Sequence, residues 1–92
     1  MLELNTTAQF RRDYKLIKRR GYNIALLEEV LDKLLRRENL DARHRDHALT
    51  GDYAGFRECH VRADWLLVYA VDDKQLTLTA SRTGTHSEIF GI

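Results

Sequence analysis

Three of the chain's four histidines, His47, His60 and His86, lie in its second half with Asp64 and Arg82. An imidazole titrates near neutrality, a carboxylate can orient it or accept a proton, and a guanidinium grips two phosphate oxygens at once. Gathered in one cleft, these groups are the parts for metal-free phosphodiester cleavage. RNA supplies its own nucleophile. Once a base removes the ribose 2′-OH proton, that oxygen attacks the adjacent phosphorus, an acid protonates the departing 5′ oxygen, and the arginine stabilises the dianionic transition state. Taken singly, each residue has a plainer reading: a lone histidine is a surface or satisfied core residue, Asp64 a strand-edge charge, Trp65 core packing. The combination carries the functional reading.

Other chemistries fit the residues less well. No H-x₃-H, H-E-x-x-H or C-x₂-C spacing occurs, and Cys59 and His60 point to opposite faces of one strand, so no metal site and no cofactor are expected. The single cysteine, Cys59, excludes an intrachain disulfide and is expected to face the helices, away from any cleft. His44 reads as a loop residue.

Hydrophobic periodicity predicts the elements that must position these groups. Thr6 or Thr7 caps a helix in which Phe10, Tyr14 and Ile17 recur at helical spacing, and Gly21 stops it. Asn23 caps a second helix with Ile24, Leu27, Leu31 and Leu34 on one stripe, widened by Val30 and Leu35. The polar stretch 38–47 and the glycine-punctuated GDYAGF then give way to period-two alternation. In FRECHVR, Phe56, Glu58, His60 and Arg62 share one parity; WLLVYAV is apolar on both faces; Leu76, Leu78 and Ala80 alternate with Thr77, Thr79 and Ser81. Arg82 shares the parity of Leu78 and Ala80, so a bulge or strand end must re-aim it out of the core. The expected fold is α+β: a short first strand, two antiparallel helices on one face, and an antiparallel meander of three strands.

A chain of 92 residues has room for one hydrophobic core, so residues 1–92 form a single domain. With 43% hydrophobic and 32% charged residues and no apolar run long enough for a signal peptide or a membrane span, it is expected to be a cytoplasmic protein without membrane partners. The net charge of +1 hides an asymmetry: 11 Lys and Arg against 8 Asp and Glu in residues 1–46, and 4 against 6 in residues 47–92. Arg11, Arg12, Lys15, Lys18, Arg19 and Arg20 are opposed in the first helix by Asp13 alone, a basic face suited to phosphates as well as to plain solvation.

The segment from Asp46 to Gly91 resembles the C-terminal half of the YafQ branch of RelE-type bacterial toxins, the ribosome-dependent mRNA interferases of type II toxin–antitoxin systems. DH-x-L-x-G, G-[FY]-R-x-x-H-V, DW-[LI]-L-[VI]-Y, R-T-G-T-H and a terminal F-G occur in order at compatible spacing. The helical half agrees only in length and pattern. The resemblance implies a RelE-like fold and a catalytic set of His47, His60, Asp64, Arg82 and His86. In that set His86 is the general acid, Asp64 the general base, His47 and His60 orient the nucleophile and stabilise charge, and Arg82 grips the scissile phosphate. It also implies that Trp65 and Phe90 lie near RNA, and that the partners are a ribosome with mRNA in the A site and a cognate antitoxin; the basic face of Arg11, Arg12, Lys15, Lys18, Arg19 and Arg20, read from its charge, would then dock to ribosomal RNA.

Ala48 and Ala63 stand where the family commonly has proline, which predicts two less rigid loops. Two other readings use the same fold without RNA cleavage: a toxin of the gyrase-inhibitor type, and an inactive relic that only binds antitoxin.

Overall fold

The computed structural model describes residues 1–91. Its elements run β1 (Glu3–Thr6), α1 (Ala8–Arg19), α2 (Ile24–Leu35), β2 (His47–Ala48), β3 (Arg57–Arg62), β4 (Trp65–Asp72), β5 (Thr77–Gly84) and α3 (His86–Phe90). Single turns of 3₁₀ helix at Ala42–His44 and Gly51–Tyr53 flank β2. The sheet order is β1-β5-β4-β3-β2, with β1 parallel to β5 and every other pairing antiparallel.

Local signals set the helix ends. Thr7 Oγ1 accepts from the Phe10 N–H at 2.9 Å, and Asn23 Oδ1 accepts from the Ala25 N–H at 3.2 Å, so both helices start at side-chain caps. Gly21, at φ 82°, ends α1 with the Gly21 N–H bonded to the Lys18 carbonyl and the Tyr22 N–H to the Ile17 carbonyl. That pair of bonds satisfies carbonyls that the helix end leaves open.

The two faces of β4 build two cores. Trp65, Leu67 and Tyr69 join Cys59, Val61, Leu78 and Ala80 against Phe10, Ile17, Leu27, Val30, Leu31 and Leu34 of α1 and α2. Leu66 and Val68 point the other way and pack with Ile89 of α3, bordered by Leu49, Phe56 and Phe90. The two N-terminal helices lie together on one face as expected, and the short third helix, which the periodicity did not predict, adds a second core on the other. A run of apolar residues in a strand demands cover on both faces, and the short C-terminal helix supplies it. Leu66, Leu67, Val68 and Leu78 are fully buried, and truncating any one to alanine would cost about 2–5 kcal/mol.

Of the two devices expected, a bulge and not the strand end re-aims Arg82. On β4, Val68 faces Arg82 but Tyr69 faces Ala80, so Ser81 is an extra residue on β5 and the parity flips. Arg82 therefore joins Glu58 and Val68 in one cross-strand row on the α3 side of the sheet.

Candidate active site

The residues with chemistry collect on the sheet face opposite α1 and α2. Glu58 and His60 rise from β3, Asp64 sits in the β3–β4 turn, His47 stands on β2 paired with Glu58, and His86 opens α3. Asp64 Oδ1 accepts from both the His86 backbone N–H (3.1 Å) and the His86 ring Nδ1 (2.8 Å). The backbone bond first, and the ring second, hold the Asp64 carboxyl below its ordinary range, so it is ionised at neutral pH. The His60 and His86 rings lie 5.6 Å apart, and His86 Nε2 lies 3.8 Å from Glu58 Oε1.

A common rule orients the imidazoles. His47 Nδ1 donates to the Arg45 carbonyl (2.6 Å), His60 Nδ1 to the Ala63 carbonyl (3.1 Å), and His86 Nδ1 to Asp64. A carbonyl or carboxylate only accepts, so the hydrogen in each bond belongs to Nδ1, and Nε2 is the atom left for chemistry. His47 Nε2 meets the buried Glu58 carboxyl at 3.0 Å. The loop residue His44 is buried, and its Nδ1 bonds the His60 carbonyl at 2.7 Å, which fixes the strand that carries His60.

Arg82 stands two strands from Glu58, roughly 10 Å across the sheet. Asp13 of α1 holds it: Arg82 Nε donates to Asp13 Oδ2 at 2.8 Å and Nη2 to Oδ1 at 3.3 Å. β1 pairs only as far as Ala80, and beyond it the Thr83 N–H also donates to Asp13 Oδ2. Arg82 Nη1 makes no hydrogen bond among the described residues.

Glu58 and Asp13 were not among the residues singled out in the sequence. Glu58 carried a signal, its shared parity with His60, and Asp13 carried a fainter one as the lone acid in a basic run. Trp65 needs correction: it is 4% exposed, stacks edge-on against Tyr22 at 5.0 Å and donates its indole N–H to Thr83 Oγ1 at 2.9 Å. Its parity is that of Leu67 and Tyr69, so it belongs to the helix-side core and offers RNA no ring to stack on. Phe90 does border the site, 6.3 Å from the His86 ring and 5.0 Å from Tyr53.

On α1, Arg11, Arg12, Lys15, Lys18 and Arg19 are exposed within a stripe about 120° wide at helical spacing. Arg20 lies off that stripe and pairs with Glu88 of α3 at 2.7 Å, so it braces the helix that carries His86.

Absent sequence spacing did not prevent metal donors from converging. Glu58, His60 and His86 each offer one ligand atom, all within 4.8 Å of one another, because β3 and α3 meet in space rather than in sequence. Two imidazoles and a carboxylate suit a transition metal. Cys59 takes no part: burial pushes its thiol up to about 12, far from a thiolate at neutral pH. Among the described residues no helix is long and apolar enough to cross a membrane.

A mixed, mostly antiparallel five-stranded sheet packed with these helices is a RelE-like α+β fold. Residues 2–91 match the family described as the bacterial toxin of type II toxin–antitoxin system, YafQ. The mRNA interferase toxin YafQ of Escherichia coli K12 is 34% identical over 90 residues, which span 97% of this chain and 96% of that one. A copper-bound mutant toxin from Helicobacter pylori superposes with a TM-score of 0.92 at 41% identity, over 98% of this chain and 100% of the other. YafQ in the E. coli DinJ–YafQ complex superposes with a TM-score of 0.90 at 34% identity, over 99% and 100%. The chain belongs to the YafQ family.

Proposed function

We propose that this chain is a ribosome-dependent mRNA interferase that cuts translated mRNA in the ribosomal A site by general acid–base catalysis, and that a cognate antitoxin neutralises it. The observation that carries the reading is His86, held through Nδ1 by Asp64 with its Nε2 turned toward His60 and Glu58. The His86 imidazolium gives its Nε2 proton to the departing 5′ oxygen. Asp64 Oδ1 is engaged by His86, whereas Oδ2 makes no hydrogen bond among the described residues and takes the 2′-OH proton. The 2′ oxygen then bonds to phosphorus as the bond to O5′ breaks, leaving a 2′,3′-cyclic phosphate. Arg82, steadied by Asp13, faces the non-bridging oxygens through Nη1; His47 and His60 place charge around the nucleophile. Each positioned acid or base contributes about 10²–10⁴-fold.

Dependence on the ribosome rests on what the surface lacks. With Trp65 buried, the described aromatic rim is Phe90 with Tyr53 and Phe56, too little to hold a free strand by stacking. A ribosome presents the mRNA already ordered, and the exposed α1 stripe meets ribosomal RNA. A transition metal on Glu58, His60 and His86 would occupy His86 Nε2, the atom that must carry the proton for the departing 5′ oxygen, so metal binding at these donors is inhibitory.

Induced expression with mapping of mRNA 5′ ends tests the reading. Cleavage within translated frames, with cyclic or opened 3′-phosphate products, is expected. Arrested translation with intact mRNA would instead select a toxin that does not cleave RNA.

A further inference from the structure

A groove of about 740 Å³ lies between α2, the Ala42–His44 turn and the end of β3, and one of its walls is the catalytic-face residue His60. Four cations from three separate stretches of sequence line it: Lys33, Arg43, Arg45 and Arg62, against the single carboxylate of Glu29. Lys33, Arg45 and Arg62 make no ion pair among the described residues, and Arg43 has only a loose 3.7 Å contact with Asp41, both side chains being largely exposed. A cluster of like charges with so little internal compensation raises the free energy of the empty groove and favours a polyanion in it.

The groove is tied to the site by backbone as well as by His60. Arg45 sits in the left-handed region at φ 47°, and its carbonyl holds His47 Nδ1 at 2.6 Å; His44, also in the groove wall, holds the His60 carbonyl. The strain at Arg45 thus fixes one side chain of the groove and one imidazole of the site together.

We propose that this groove is a phosphate track for the mRNA strand itself: it takes the backbone of the one or two nucleotides next to the scissile bond, with Arg43, Arg45, Arg62 and Lys33 on their phosphates. Its volume suits a short piece of a strand rather than a helix or a duplex. His60 lines both the groove and the site, so a strand whose scissile phosphate lies between His60 and His86 reaches the groove past His60 at the end of β3. The α1 stripe is a different surface, none of its residues lining the groove. This inference rests on the RNA-cleaving reading, and it adds which side chains hold the substrate beside the cut.

The test uses the doubly substituted R43Q/R62Q chain, both positions being exposed, with K74Q in the β4–β5 turn as control. Binding is measured on His86→Ala backgrounds by fluorescence anisotropy of a labelled six-nucleotide RNA over a salt series. Cleavage is measured on programmed ribosomes with the chains that keep His86. R43Q/R62Q is expected to bind the RNA roughly tenfold more weakly, with a log–log salt slope shallower by roughly 1.4, or 0.7 for each phosphate that is no longer neutralised. Its cleavage on ribosomes should need more protein for half-saturation, whereas K74Q matches the parent in both assays. Unchanged RNA affinity and unchanged salt slope in R43Q/R62Q overturn the track whether or not the parent cleaves. Failure of the parent to cleave, with the binding difference present, would overturn the nuclease reading and leave the track standing. Weakened binding of a cognate antitoxin with RNA binding intact would make the groove a seat for an acidic peptide and overturn the proposal.

Discussion

Asp13 and Arg82 are 69 residues apart and share two hydrogen bonds, the shorter 2.8 Å, with side chains 9% and 24% exposed. The same carboxylate caps the Thr83 N–H at the strand edge that β1 leaves open. One acid on α1 therefore supports both the sheet edge and the arginine proposed to meet phosphate.

Asp13→Ala should leave the Thr83 N–H and the Arg82 guanidinium without their partner at a mostly buried position, at a cost of about 1–3 kcal/mol. For a domain of this size that is a fall of roughly 4–8 °C in Tm per kcal/mol, read by thermal denaturation. Cleavage should fall as well, and Asp13→Asn should restore part of the stability. A Tm equal to that of the parent in Asp13→Ala would show that the pair contributes nothing.

Asp64→Asn separates two duties that Asp64→Ala removes together. The amide oxygen can still accept from the His86 N–H and Nδ1, but the side chain no longer takes a proton. If Asp64 is the base, both variants should lose about 10²–10⁴-fold in single-turnover cleavage, as should His86→Ala. If Asp64 only orients His86, Asn should keep far more activity than Ala. Growth arrest by a folded His86→Ala chain would remove His86 from the mechanism.

Gly84 has φ 148°, and a Cβ there would lie 3.1 Å from Glu88 Oε1. That oxygen accepts from the Thr85 N–H while Thr85 Oγ1 accepts from the Glu88 N–H, the reciprocal cap that starts α3. Gly84→Ala should loosen the cap, destabilise the fold by about 1–2 kcal/mol and lower cleavage by displacing His86. Denaturant titration beside a cleavage assay checks both effects.

Glu88 also sets a pH dependence. The hydrogen bond from Arg20, then the Thr85 N–H, pull its carboxyl down to about 2 from an ordinary value of 4.5. A carboxyl depressed in the folded state stabilises the fold above its unfolded value and loses that contribution as pH falls from about 4.5 toward 2. The pair is partly exposed, so the effect is about 1 kcal/mol or less. Urea melts between pH 6 and 3 should show a steeper loss for the parent than for Glu88→Gln.

Added Zn²⁺ or Cu²⁺ should suppress ribosome-bound cleavage, whereas stripping transition metals with Mg²⁺ retained should leave it intact. His60→Ala, which removes one of the three donors, should weaken that inhibition. Activity that vanishes on stripping and returns with Zn²⁺ would instead make the metal a participant.

Residue type, period and parity were enough to read one helix cap at Thr6 or Thr7 and another at Asn23, the meander, the need for a bulge or strand end to turn Arg82, and the inward face of Cys59, because each depends on neighbours a few residues away. His86 with Asp64, and His60 beside them, were legible as residue types in a motif, but not as a dyad with its Nδ1 atoms tied down. Residues distant in the chain were hidden for a physical reason: burial and pairing are properties of a folded surface. Whether Trp65 faced RNA or core turned on which side of β4 met the helices. Asp13 reached Arg82 only because β1 stops short of the end of β5. Glu58 became the carboxylate shared by His47 and His86 only when β2 and α3 closed over β3, and Lys33, Arg43, Arg45 and Arg62 became one basic groove only when a helix, a turn and a strand end were brought together.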